Sequence, residues 1–281
     1  MNIDARTRIF LLLGDPVRHS LSPLLHNAAF RALNLNYVYL AAPVRAASLQ
    51  AAVSGLRALG LAGANVTIPY KEAVLPYLDL VSPEALAIGS VNTIVHHDGK
   101  LTGSSTDGDG FLRAAREEGL AELFSDPILM IGAGGAARAI ADALIRQGAT
   151  DLMIANRTAA RAQALVEWIK PQSPLVTAAA VLWQEEALRQ ACSRCRVLIY
   201  CLPGDFPEVT KALNPLPGQG KALFDLRYHP AETEVMRLFR SRGGKAVNGR
   251  GMLLWQAALA FELFTGQKAP VEVMRRAVDG A

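Results

Sequence analysis

An α/β protein of two domains is expected from this sequence, and three features carry the expectation. Residues 127–161 read as strand, glycine-rich turn, helix and second strand, the unit from which parallel sheets are built. Strand-like and helix-like stretches also alternate ahead of that unit. The 281 residues exceed one ordinary domain and suit two of about 100–150 each. With 51% hydrophobic and 19% charged residues, a large packed core can form and the composition argues against disorder.

The central unit opens with Pro127-Ile-Leu-Met-Ile131, a short apolar run of the length of a buried parallel strand. The turn Gly132-Ala133-Gly134-Gly135-Ala136-Ala137 follows, then a helix-spaced segment over residues 138–146, a stop at Gly148 and a second strand over 151–155. Glycines here allow a tight turn and the close approach of a pyrophosphate, which rests on the free amides at the helix start. A turn kept for packing alone is the plainer alternative, but the flanking strands and helix lie where dinucleotide binding needs them. A site for NAD usually places Asp or Glu about 20 residues past the glycines to grip the ribose hydroxyl. Here the second strand ends in Asn156-Arg157-Thr158, with Arg161 one turn on. A carboxylate would repel a 2′-phosphate, whereas guanidinium groups hold one, so NADP is favoured over NAD.

The formal net charge of +4 comes without a Lys/Arg cluster, which argues against a nucleic-acid partner and suits anionic small molecules. No apolar run approaches the ~20 residues of a membrane span. The apolar run at residues 9–13 is too short for a signal-peptide core and stops at Gly14-Asp15, so a cytoplasmic protein without membrane attachment is expected. Cys192, Cys195 and Cys201 make an odd set that argues against a disulfide framework, and one Cys-x-x-Cys without a second ligand pair is a poor metal site. Incidental thiols and no metal are expected.

Residues 9–13 read as the first strand, followed by a polar loop through His19, Ser20, Ser22 and Pro23. A helix is expected over 24–33, with Ser22 as its cap and Pro23 at the first helical position. Ser20 is not needed for capping, and two hydroxyls at the mouth of a strand-to-helix turn suit a polyhydroxylated ligand. Residues 37–41 read as a strand and 48–59 as a helix closed by Gly60. From 63 to 71 a strand runs into a loop, with Asn65, Thr67 and Lys71 converging on a common cleft, where a partly dehydrated lysine suits proton transfer. The stretch 87–93 reads as strand-like, and its Asn92-Thr93 pair needs a partner or a ligand if buried. Asp107 then enters a helix expected over 111–119, where simple capping is the alternative to a functional role.

Taken together, these segments resemble the shikimate dehydrogenase family. The resemblance rests on Gly14-Asp-Pro-Val-Arg-His-Ser20-Leu-Ser22-Pro23, Asn65-Val-Thr67-Ile-Pro69-Tyr-Lys71, Val91-Asn92-Thr93, Thr106-Asp107-Gly108, the glycine turn, Asn156-Arg157-Thr158 with Arg161, and Gly249-Arg-Gly-Met252-Leu253-Leu-Trp-Gln256. It implies an amino-terminal α/β substrate domain over residues 1–107, an inserted Rossmann-type doubly wound NADP-binding domain over 108–248, and carboxy-terminal helices over 249–281 that return to the first domain. The activity it implies is reversible, NADPH-dependent reduction of 3-dehydroshikimate to shikimate, by a monomer or homodimer whose partners are small molecules.

By matched position, Lys71 and Asp107 resemble the catalytic pair, and Ser20 and Ser22 the serines that receive the substrate carboxylate. Thr67, Asn92 and Gln256 match residues that bind ring hydroxyls, and Tyr228 a tyrosine near the substrate. Gly132, Ala133, Gly134, Gly135, Ala136, Asn156, Arg157, Thr158 and Arg161 match the cofactor site, with Leu226 and Gly249 on its nicotinamide side. The chain departs from the family where Tyr200-Cys201-Leu202 replaces the usual Asn-Ala-Thr, where Ser105 replaces the common Asn, and where Asn248 replaces the common Asp. Both serines lean towards shikimate, because relatives preferring quinate often carry a threonine there. Quinate or an aminated relative as substrate, and a degenerate metabolite sensor, are the alternatives.

Overall fold

Burial alternates along β1 (Arg8–Gly14), with Phe10 and Leu12 packing into one core and Leu13 into another. That period of two places apolar layers on both faces of the sheet it belongs to. The computed structural model of the chain describes residues 3–279. After β1 come α1 (Ser22–Ala32), β2 (Tyr37–Pro43), α2 (Leu49–Ala58), β3 (Gly63–Val66), β4 (Leu80–Val81), α3 (Pro83–Ile88), β5 (Thr93–His97), β6 (Lys100–Ser104) and α4 (Asp107–Glu117). The next stretch holds β7 (Ile128–Ile131), α5 (Gly135–Arg146), β8 (Asp151–Ala155), α6 (Ala159–Ile169), β9 (Thr177–Val181), α7 (Glu185–Arg194), β10 (Val197–Tyr200), α8 (Pro207–Leu213), β11 (Ala222–Asp225), α9 (Glu234–Ser241) and β12 (Lys245–Val247). The helices α10 (Arg250–Thr265) and α11 (Val271–Asp279) follow. Among the described residues no helix is long and apolar enough to cross a membrane.

Two units emerge. One runs to Gly110 and resumes at Leu253, and the other is Phe111–Met252. The divisions fall inside α4 and α10, a few residues beyond the expected 107 and 248.

The first unit is a mixed sheet of order β2-β1-β3-β5-β6-β4, with β1 parallel to β2 and β3 and with β5 antiparallel to β3 and β6. Leu25, Ala29 and Phe30 of α1, Phe261 and Phe264 of α10 and Met274 of α11 pack over Phe10 and Leu12 on one face. Val53 and Leu56 of α2 pack with Leu13, Ala64 and Ile94 on the other. The second unit is a fully parallel sheet of order β12-β11-β10-β7-β8-β9, the doubly wound arrangement in which the strand order reverses beside the first strand of the unit. Its central strands β7, β10 and β11 are buried at every residue, as strands covered on both faces require.

The structure corrects three local readings. Ser22 is the first residue of α1 rather than its cap, and Leu21 at the cap position makes no side-chain capping bond. The stretch 87–93 is not a strand: α3 extends to Ile88, Gly89 turns the chain with φ 69°, and β5 starts only at Thr93. The helix expected over 111–119 starts at Asp107, so that carboxylate belongs to the first turn. In each case the local pattern of apolar residues was satisfied by an element displaced by a few positions, which is where pattern reading is weakest.

Burial disposes of the thiols. Cys192, Cys195 and Cys201 are all free, and burial pushes the Cys195 thiol up to about 11 and the other two further. They stay protonated at neutral pH and make poor nucleophiles.

His26 on α1 is fully buried, stacked on Tyr39 at 4.4 Å, and both its ring nitrogens lack a hydrogen-bond partner among the described residues. Burial lowers its pKa from 6.5 to about 3. Because the unfolded chain binds this proton first on acidification, the folded state keeps its full stability above pH 6.5 and loses it as pH falls towards 3. Replacing His26 by Leu should therefore flatten the fall in stability between pH 7 and 4 by roughly 2–4 kcal/mol, as read by chemical denaturation. An unchanged slope would show that this histidine does not titrate on unfolding.

Candidate active site

In the first unit Lys71 Nζ donates to Asp107 Oδ2 at 2.6 Å, and the Asp107 side chain is only 3% exposed. A carboxylate taken this far out of water costs several kcal/mol unless its charge and lone pairs are met. Lys71 supplies the charge, and Asn92 Nδ2 donates to the other oxygen, Oδ1, at 3.0 Å. As the first residue of α4, Asp107 also lies at the positive end of a helix.

Asn92 cannot turn over. Its Oδ1 accepts from the Thr106 backbone N–H and from Thr93 Oγ1, both at 2.9 Å, and a backbone N–H can only donate. The amide nitrogen is thereby forced towards Asp107 Oδ1, Thr106 Oγ1 at 2.9 Å and Gln256 Oε1 at 3.3 Å. Behind it, Asn65 Nδ2 donates to the Asn92 carbonyl at 2.9 Å and to Thr93 Oγ1 at 3.0 Å, while Asn65 Oδ1 accepts from the Tyr39 hydroxyl at 2.9 Å. Asn65 was expected in the cleft, but its side chain is spent on this buried support. The Lys71 backbone joins the same frame, its carbonyl accepting the Val91 N–H at 2.8 Å.

Gln256 reaches the cluster from α10 because α4 carries a glycine at the crossing. A Cβ on Gly110 would stand 2.7 Å from Gln256 N and 2.8 Å from Gln256 Cβ. Ser20 and Ser22 stand together at the entry to α1, with their hydroxyl oxygens 3.2 Å apart and the Ser22 N–H donating to Ser20 Oγ at 3.2 Å. The Ser20 hydroxyl thus closes a local turn ahead of the helix, and Ser22 caps nothing. Thr67 lies just past β3, half-buried, its N–H donating to the Leu13 carbonyl at 2.9 Å.

In the second unit, the turn after β7 has Gly132 at φ 115°, and a Cβ there would meet Cys201 Cβ at 3.1 Å and Leu202 Cδ2 at 3.2 Å. Only glycine fits this turn. The helix α5 starts at Gly135, so its first amides have no partner within the helix and face the turn, while a Cβ on Gly134 would meet nothing within 4 Å. Open space at a glycine beside unpaired amides fits a pyrophosphate. Past β8, Asn156 Nδ2 donates to the Thr158 carbonyl at 2.9 Å, and Arg157 and Arg161 are exposed. Among the described residues Arg157 has no carboxylate within 4 Å, and its guanidinium lies 5.6 Å from the Phe206 ring centre. An uncompensated guanidinium at this place fits a 2′-phosphate.

Tyr200, the largest departure, is fully buried. Its hydroxyl donates to the Gly204 carbonyl at 2.8 Å and its ring lies 4.6 Å from the Arg227 guanidinium. Arg227 in turn pairs with Asp225 at 2.7 Å and Asp205 at 2.9 Å, and Asp225 also accepts from Thr233 Oγ1 at 2.8 Å. Sequence reasoning missed this network, since its members are scattered singly. Leu226 and Gly249 are adjacent: a Cβ on Gly249 would sit 1.9 Å from the Leu226 carbonyl oxygen. Tyr228 lies on the loop after β11, partly buried. Asn248 Oδ1 accepts from the Arg250 N–H at 3.1 Å while Nδ2 donates to the Ala231 carbonyl at 2.9 Å, a bond an aspartate could not make. The Ser105 hydroxyl is buried without a hydrogen-bond partner among the described residues.

Comparisons with known proteins agree along the chain. The family description "Shikimate dehydrogenase substrate binding domain" matches residues 12–94, "Shikimate / quinate 5-dehydrogenase" matches 114–195, and "Shikimate 5'-dehydrogenase C-terminal domain" matches 249–278. The shikimate dehydrogenase (NADP(+)) of Methanopyrus kandleri is 43% identical over 282 residues, which cover 99% of this chain and 97% of the relative. Among solved structures, shikimate 5-dehydrogenase from Listeria monocytogenes in complex with shikimate and NAD superposes with TM-score 0.86 at 35% identity, covering 98% of both chains. The Thermus thermophilus enzyme in complex with NADP(H) and shikimate gives TM-score 0.83 at 35% identity, covering 97% of this chain and 99% of that one. On matches of this identity and extent, the chain belongs to the shikimate dehydrogenase family.

Proposed function

We propose that the chain is an NADP-dependent shikimate dehydrogenase that reversibly reduces 3-dehydroshikimate to shikimate with NADPH. The observation that carries this reading is the Lys71–Asp107 pair at 2.6 Å, locked by Asn92, in a chain whose full-length relatives bear that name. When bound, the nicotinamide supplies or accepts the hydride. The proton is the protein's task. In the reducing direction Lys71 Nζ gives a proton to the ketone oxygen as it becomes a hydroxyl, and in the oxidising direction it takes that proton back.

Asp107 holds the amine in place through its charge, and Asn92 holds the carboxylate. Ser20 and Ser22, paired at the start of α1, receive the substrate carboxylate. Thr67, Asn92 and Gln256 bind the ring hydroxyls, with Tyr228 near the substrate. Gly132, Ala133, Gly134, Gly135 and Ala136 accommodate the pyrophosphate, Arg157 and Arg161 the 2′-phosphate with Asn156 and Thr158 shaping that loop, and Leu226 and Gly249 flank the nicotinamide. The substrate domain is residues 1–107 with 249–281, and 108–248 hold the cofactor. Both serines favour shikimate over quinate. We place the enzyme in the cytoplasm as a monomer or homodimer.

Adding shikimate and NADP to the purified chain should raise the reduced-nicotinamide absorbance. No rise, or an equal kcat/KM with NAD, would contradict the reading. Lys71→Ala should lower kcat by about 10²–10⁴-fold while leaving the calorimetric affinity for NADP nearly unchanged; a matching loss of NADP affinity would remove the lysine from proton transfer. Asn92→Ala should cost roughly 1–3 kcal/mol of stability, measured by denaturation, because it leaves Asp107 Oδ1 and the Thr106 N–H buried without partners.

A further inference from the structure

We propose that Phe206 is a specificity-determining residue for NADP, holding the Arg157 guanidinium ready for the 2′-phosphate. The proposal rests on the NADP reading above and extends it to a residue with no polar group. Phe206 stands just ahead of α8, where its carbonyl accepts the Val209 N–H at 3.0 Å. The Trp183 ring meets it edge-on at 5.7 Å and 89°, and both rings pack on the buried core of the second unit. The phenyl ring is therefore fixed on one side. On its other neighbour, the Arg157 guanidinium carbon lies 5.6 Å from the ring centre, within the range of a cation held by an aromatic face.

The choice of an aromatic partner matters chemically. A carboxylate could restrain an exposed arginine equally well, but it would neutralise the charge and occupy the N–H donors that a phosphate needs. A ring face accepts no conventional hydrogen bond, so Arg157 is restrained while its charge and its donors stay available. Among the described residues no side chain or carbonyl accepts a hydrogen bond from Arg157. An arginine already restrained loses less rotamer freedom when it binds, which raises affinity for the ligand that it contacts. NAD lacks the 2′-phosphate and gains nothing from the arrangement.

Calorimetric titration with 2′,5′-ADP and with 5′-AMP tests this without turnover. The folded chain should bind 2′,5′-ADP more tightly than 5′-AMP. Phe206→Leu, which keeps an apolar side chain but removes the π face, should weaken 2′,5′-ADP by about three- to tenfold with 5′-AMP unchanged. Phe206→Trp should restore the preference, and Phe206→Leu should have no further effect in an Arg157→Ala background. An unchanged ratio in Phe206→Leu, an equal loss for both nucleotides, or additivity with Arg157→Ala would overturn the role of Phe206 while leaving the NADP reading intact. No preference in the unaltered chain would overturn the NADP reading itself.

Discussion

A carboxylate with 3% of its surface in water is the constraint around which the first unit is arranged. Asp107 can remain there because an ammonium group meets one oxygen at 2.6 Å and an amide meets the other at 3.0 Å. The amide is itself held by a backbone N–H, two threonine hydroxyls and, behind them, Asn65 and Tyr39. The Thr106 N–H can only donate, so it fixes which end of the Asn92 amide faces Asp107. Such a network is costly if incomplete and rigid if complete. Rigidity is what the proton transfer proposed for Lys71 requires, since its effect depends on a fixed position relative to the reacting oxygen.

The second unit works differently, through backbone and space. Gly132 and Gly249 stand where a Cβ would strike Cys201 and the Leu226 carbonyl, and a Cβ on Gly134, just ahead of α5, would meet nothing within 4 Å. The unusual Tyr200-Cys201-Leu202 segment leaves that scaffold in place because its large ring is directed inward, beneath Arg227, with its hydroxyl bonded to Gly204. A segment that raised doubt about the cofactor side is thus absorbed beneath Arg227, which pairs with the buried Asp225 and the exposed Asp205, while Thr233 Oγ1 donates to Asp225.

Much of this was legible in the sequence. The strand, glycine turn and helix from Pro127 onward stand out because a buried strand and an amphipathic helix have different periods and glycine punctuates them. The convergence of Lys71 and Asp107, 36 positions apart, came from motif resemblance, not from any local signal. What stayed hidden was of two kinds. Tyr39 and Phe206 carry no motif, and it takes the folded chain to bring one hydroxyl to the end of a polar chain and one ring beside an arginine. Ser22 was expected as the cap and is instead the first helical residue, because the two assignments differ by one position in the helix start, below the resolution of a pattern.

The account turns on where the Lys71 amine stands relative to the hydroxyl that is oxidised. A crystal structure of this chain with shikimate and NADP measures it directly. The account predicts Lys71 Nζ within about 2.6–3.2 Å of the hydroxyl on the carbon that gives up its hydride, with Asp107 still beside the amine. A shikimate whose reacting hydroxyl meets some other titratable group, with Lys71 out of reach, would contradict it.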